Sequence, residues 1–135
     1  MSQEPDLVLD ASALLAYLRD ERGKDAVSRA LEQPTAISAV NWAEVLSKLV
    51  DFGYDASAAG KQFRDQGPGA DLTIWPFDET LAGHVANLRG QTRPFGLSVG
   101  DRACLALGSF LKVPILTADR KWGELKMRVV VRFIR

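Results

Sequence analysis

The stretch Leu7-Val8-Leu9-Asp10-Ala11-Ser12-Ala13-Leu14-Leu15 decides the fold class. Three apolar residues end on an acid, and a run rich in Ala and Leu continues to Arg19. A short apolar run followed by a longer helical pattern predicts a strand that feeds a helix. The alternation recurs along the chain. Helices are expected over residues 24–32, 40–52, 56–65, 79–89 and 98–111, with Ser38 and Asp78 as caps and Gly53 as a stop. Strands are expected over residues 35–37, 72–76, 113–116 and 128–134, a loop over 90–96, and a loop or short helix over 119–125. Short strands alternating with helices predict an α/β fold: a central, mainly parallel sheet of four to five strands, flanked by helices on both faces. No repeat, low-complexity tract or linker divides residues 1–135, so one domain is expected.

Composition narrows the function classes. The chain is 47% hydrophobic and 25% charged, ordinary for a globular domain. One cysteine, Cys104, permits no intrachain disulfide. Met1 to Asp6 is polar and acidic, unlike a signal peptide, and no apolar run reaches membrane-helix length, so a cytoplasmic location without membrane association is expected. Charge is balanced overall but polarised along the chain. Residues 1–80 hold 7 basic and 14 acidic side chains; residues 81–135 hold 10 and 3. A basic region either attracts polyanions or is a solvated surface.

Ligands of parallel α/β sheets gather at the carboxyl ends of the strands. Asp10 follows the first strand, and Asp119 follows Ile115-Leu116-Thr117-Ala118. Asp101 lies in the first turn of a helix whose body, Ala103 to Leu111, is almost wholly apolar and therefore buried. A carboxylate at its mouth lies near the core, where charges seldom sit unpaired. Each acid also has a plain structural reading. Ser98-x-x-Asp101 is a capping box, and Asp10 and Asp119 can cap the turns after them. Glu44 is the least legible, since it falls roughly opposite the apolar side formed by Trp42, Val45, Leu46 and Leu49.

Taken together with Asn41-Trp42-Ala43-Glu44-Val45 and Leu97-Ser98-Val99-Gly100-Asp101-Arg102-Ala103-Cys104-Leu105-Ala106, these segments resemble, in order and spacing, the four acidic motifs of PIN-domain nucleases. Length and motif pattern most resemble the VapC subgroup, the toxins of VapBC toxin–antitoxin modules. The resemblance runs from Leu7 to about Trp122 and implies a single PIN domain. It implies that Asp10, Glu44, Asp101 and Asp119 are the catalytic, metal-binding acids, with Ser12 and Thr117 as polar support. It further implies an endoribonuclease dependent on Mg2+, with Mn2+ as a substitute, an RNA substrate, a homodimer and inhibition by a VapB-like antitoxin.

The chemistry agrees with that donor set. Two full charges about 4 Å apart cost roughly 4 kcal/mol at an effective dielectric near 20, a cost a dication removes. Oxygen ligands without a His or Cys cluster favour magnesium or manganese over zinc. A cation so held would assist phosphodiester hydrolysis by polarising the phosphate and activating water. By analogy the products carry 5′-phosphate and 3′-hydroxyl ends. Arg102, Arg120 and Lys121 adjoin two of the acids and either hold the RNA backbone or are simple surface charge. His84 stands apart from every motif, and Cys104 reads as an inert core thiol. Trp42 and Trp75 read as core, with Trp122 left open between core and base stacking. Leu14, Leu15, Tyr17, Leu18, Trp42 and Phe52 offer either core or, as the family implies, an antitoxin groove. The rival readings are a free-standing PIN nuclease of RNA processing and an inactive PIN-like RNA-binding module. A phospho-receiver would need paired acids after the first strand, and a haloacid-dehalogenase-like phosphatase would need Asp where Ser12 stands.

Overall fold

The computed structural model describes residues 4–135; Met1 to Gln3 of the acidic amino-terminal segment lie outside the described residues. The elements run β1 (Leu7–Leu9), α1 (Ala11–Leu18), α2 (Lys24–Ala30), β2 (Thr35–Ser38), α3 (Ala39–Asp51), α4 (Ala56–Gln66), β3 (Leu72–Trp75), α5 (Glu79–Thr92), α6 (Val99–Leu111), β4 (Ile115–Thr117) and β5 (Val131–Phe133). Short 3-10 turns occupy Pro68–Asp71, Arg93–Phe95 and Arg120–Glu124.

The five strands form one sheet in the order β3-β2-β1-β4-β5. Every pairing is parallel, so the sheet is wholly rather than mainly parallel. The alternation of side chains about each strand explains why both faces are covered. Leu7 and Leu9 point into one core with Leu14, Val27, Ile37, Val45 and Phe63. Val8, between them, points into a second core with Val85, Leu105, Leu107, Ile115 and Trp122. The first core seats α1 to α4, and the second seats α5 and α6. Three-residue β1 is buried throughout, as a central parallel strand must be.

Most element ends shift from expectation by a residue or two, β4 among them at Ile115–Thr117, and two ends shift by three. Helix α5 passes Arg89 and ends at Thr92, whose hydroxyl donates to the Leu88 carbonyl at 2.7 Å. The turn at Arg93–Phe95 then fills what reads as loop, and Gly96, at φ +62°, closes it in the left-handed region that favours glycine. Strand β5 spans only Val131–Phe133, because its partner β4 offers just Ile115 to Thr117.

The chain leaves β1 toward β2 on one side and returns as β4 on the other. The switch point of the sheet is therefore the gap between the carboxyl ends of β1 and β4, where open α/β sheets place their ligands. Asp10 and Thr117 stand at those two ends.

Candidate active site

Asp10 is 6% exposed and its carboxylate is the most heavily bonded in the site. Its Oδ1 accepts from the Ala13 N–H at 2.8 Å, which caps α1. The Ser12 hydroxyl lies 2.7 Å from Oδ1 and 2.9 Å from Oδ2, and Thr117 Oγ1 donates to Oδ2 at 2.5 Å. Both hydroxyls are themselves fixed from behind. Ser12 Oγ accepts from the Ala118 N–H at 3.0 Å, and Thr117 Oγ1 accepts from the Asp119 N–H at 3.0 Å. The residues expected as polar support thus tie the end of β1 to the end of β4.

These bonds favour the carboxylate, yet burial outweighs them. Removal from water pushes the Asp10 carboxyl up to about 6; the Thr117, Ala13 and Ser12 bonds oppose that rise, and the charge of Asp101 adds to it. Among the described residues, the partners of the buried Asp10 carboxylate are neutral donors.

Asp101 reaches the same place from α6. With Ser98 it forms the full capping box: Asp101 N–H donates to Ser98 Oγ at 3.0 Å, and Ser98 N–H donates to Asp101 Oδ2 at 3.1 Å. Glu44 arrives from α3. Its carboxylate lies against Gly100, where an added Cβ would stand 2.6 Å from both oxygens. Glu44 is exposed at the opposite side from the buried Val45 and Leu49, as the helical wheel indicates, and that side faces α6. The negative charges of Asp10, Asp101 and Glu44 all act on the buried Cys104 thiol, which desolvation first and these acids next push upward. Asp10, Asp101 and Glu44 are thus near enough to Cys104 of α6 for each to be felt there. Asp119 joins them less closely: its side chain caps the following turn through the Lys121 N–H at 3.0 Å, and only its backbone N–H enters the Asp10 network.

One residue of the site escapes sequence reasoning. Asn41 is 2% exposed, and its Nδ2 donates both to Glu44 Oε1 at 2.8 Å and to the Gly100 carbonyl at 2.9 Å. Two acceptors fix the amide orientation, which leaves Oδ1 buried and unpartnered. Asn41 holds Glu44 to the start of α6. The signal available in sequence is its position three residues before Glu44, one helical turn away on the same face.

The basic residues divide. Arg102 is not surface charge: it is 5% exposed, and its Nη1 donates to the Val85 carbonyl at 3.0 Å. Arg120 is exposed, lies 4.7 Å over the Phe133 ring and donates to the Arg135 carbonyl at 3.2 Å. Lys121 is exposed beside Asp119. Trp122 is buried in the second core, which removes it from base stacking. His84 sits on α5 with its ring 6.0 Å from Phe110.

Among the described residues, no three His, Cys, Asp or Glu side chains stand close enough to ligate an ion all at once. The donor set nevertheless fits a hard dication. It is all oxygen, and Mg2+ takes only one or two carboxylates directly and leaves others to orient its waters. The buried, uncompensated Asp10 facing the charge of Asp101 is the observation that asks for a cation.

The sheet order and its covered faces define the class: a doubly covered, wholly parallel α/β domain with acidic side chains at its switch point. The chain belongs to the PIN domain family, which it matches over residues 7–126. No curated protein matches it in sequence. Solved structures share the fold at low identity. A toxin–antitoxin complex from Klebsiella pneumoniae superposes with a TM-score of 0.72 at 15% identity, covering 96% of this chain and 98% of the other. FitAcB from Neisseria gonorrhoeae gives 0.69 at 21% identity, covering 93% and 95%. VapC20 from Mycobacterium tuberculosis, a toxin that cleaves the sarcin–ricin loop, gives 0.70 at 16% identity, covering 92% and 98%.

Proposed function

We propose that this chain is a Mg2+-dependent endoribonuclease, and that it serves as the toxin of a toxin–antitoxin pair. The observation that carries the reading is Asp10: a buried carboxyl raised to about 6 at the switch point of the sheet, where the charge of Asp101 reaches it and Glu44 acts with both on Cys104. Such a perturbed acid at a ligand-binding position marks a functional site more than a helix cap. Nucleases of this family typically depend on a metal ion.

Asp10, Asp101 and Glu44 would hold the ion, with Asp119 at the edge of the set. When bound, a hard dication supplies charge stabilisation to the phosphoryl oxygens and eases deprotonation of water. The protein's own groups do the rest. Ser12 and Thr117 keep Asp10 in one rotamer, so its charge needs no reorganisation during reaction. Asn41 holds Glu44 near Asp101, where a carboxylate can orient an attacking water and accept its proton. Arg120 and Lys121, exposed beside Asp119, offer donors to the phosphates of an RNA strand.

The toxin role rests on two supports. The structures of like fold include toxins crystallised with antitoxins. In addition, Leu15, Tyr17, Leu18 and Trp42 are only partly buried, and Phe52 is 50% exposed, so α1 and α3 keep apolar surface for a VapB-like segment. A homodimer acting on cytoplasmic RNA completes the proposal; no helix of the described residues is long and apolar enough to cross a membrane.

The test is cleavage of single-stranded and structured RNA by the purified chain in Mg2+. Cleavage that disappears with chelator and in Asp101→Asn supports the reading. Equal cleavage by the variant, or none by the unmodified chain in either Mg2+ or Mn2+, refutes it.

A further inference from the structure

A second feature lies beside the first turn of α6, next in sequence to Asp101. A cleft of about 230 Å³ opens between the end of α5 and the start of α6, lined by Arg89, Thr92, Arg93, Gly96, Leu97 and Arg102. Three of its six lining residues are arginines and none is an acid. Arg102 is its buried wall, and a buried guanidinium is rarely left without an anion. Among the described residues, its hydrogen bond goes to the neutral Val85 carbonyl. The ion pairs among the described residues, Lys24 with Asp20 and Arg135 with Glu21, involve none of the three arginines. Thr92 already spends its hydroxyl proton on Leu88.

The helix dipole does not account for the cluster. Arg89 in the last turn of α5 complements the negative end of that helix, but Arg102 belongs to α6 and bonds a carbonyl one turn further back, at Val85. Three like charges round one small cleft repel unless an anion enters. Guanidinium forks match phosphate oxygens, which makes a phosphate the fitting anion.

We propose that this cleft is a phosphate subsite for the RNA strand, holding a backbone phosphodiester that flanks the one to be cut. The inference rests on the nuclease reading. Asp101 and Arg102 are consecutive on the first turn of α6, so one turn presents an acid to the reaction centre and a cation to the neighbouring phosphate. Strand position would thereby be fixed beside the acids without any base being read.

The test uses Arg89→Ala/Arg93→Ala, since both side chains are exposed and their loss spares the core. Binding of a labelled single-stranded RNA is followed by anisotropy over a range of salt, in an Asp10→Asn background so that nothing is cut. The expected result is a fall of about 0.7 in the slope of log affinity against log salt, the signature of one lost phosphate contact. In the active background, KM for RNA rises about tenfold while kcat stays within about twofold. An unchanged slope and KM overturn the subsite. If inorganic phosphate alone raises the melting temperature of the unmodified chain but not of the double variant, while the RNA slope is unchanged, the cleft takes free phosphate and the RNA subsite is overturned. Failure of the nuclease reading shows differently, as no cleavage by the unmodified chain.

Discussion

The carboxylate of Glu44 occupies the space that a side chain at residue 100 would need: a Cβ on Gly100 would lie 2.6 Å from both carboxylate oxygens. Glycine there is a requirement of the acid across from it rather than of the helix it belongs to. Gly100→Ala should therefore leave the fold intact, since the far end of a glutamate can move and Ala gains up to about 1 kcal/mol over Gly in a helix. Cleavage should fall at least about tenfold, about 1.4 kcal/mol in the barrier, because Glu44 is displaced. Thermal unfolding beside RNA cleavage rates checks both halves.

Asn41 should be needed for the same reason. Asn41→Ala removes both donors and costs about 1–3 kcal/mol in urea unfolding, because the partners stay in place without them. Asn41→Asp keeps the shape but turns a donor toward Glu44 into a like charge, and should lower kcat further than Ala does. Equal kcat for Asn41, Ala and Asp would remove Asn41 from the site.

Asp10 makes the stability of the metal-free protein depend on pH in an unusual direction. Its folded value, about 6, lies above the ordinary 3.8, so the folded state binds the proton more tightly than the unfolded chain. Its contribution is full below about 4 and is lost as pH rises through about 6. The loss is on the order of 3 kcal/mol. Asp10→Asn should flatten that dependence and raise the melting temperature at pH 7 in chelator, and Mg2+ should narrow the gap between the two proteins. A variant less stable than its parent at pH 7 without metal contradicts the account.

Thr117 serves two acids at once, donating to Asp10 Oδ2 and accepting from the Asp119 N–H. Thr117→Val keeps volume and removes both bonds. Losing a bond that lowers the Asp10 value pushes that acid up further. The acid limb of the pH–rate profile should move to higher pH, and unfolding free energy should drop by about 1–3 kcal/mol.

How far the sequence discloses this site depends on how local each signal is. Asp10 and Asp119 end apolar strands, and Asp101 opens an apolar helix, so their placement follows from neighbours in the chain. Glu44 is different. A helical wheel relates α3 only to itself and puts Glu44 opposite the apolar side, whereas Gly100, which its carboxylate lies against, belongs to α6 and meets it only once the sheet is built. Arg102 reads as a backbone-phosphate contact or as surface charge, and its burial is not legible because the Val85 carbonyl that receives it belongs to another helix. Trp122 falls in a polar stretch that reads as a loop or short helix, and its burial comes from packing within the second core. The five-stranded α/β class is legible from alternation, while the fully parallel pairing shows only in the assembled sheet and the short β5 is settled by how many residues β4 can offer.

Crystals soaked in Mn2+ and measured for anomalous scattering locate a hard dication directly. The account predicts one principal peak among the carboxylates of Asp10, Asp101 and Glu44, absent from an Asp101→Asn crystal. A peak elsewhere on the molecule, or none at millimolar Mn2+, would contradict it.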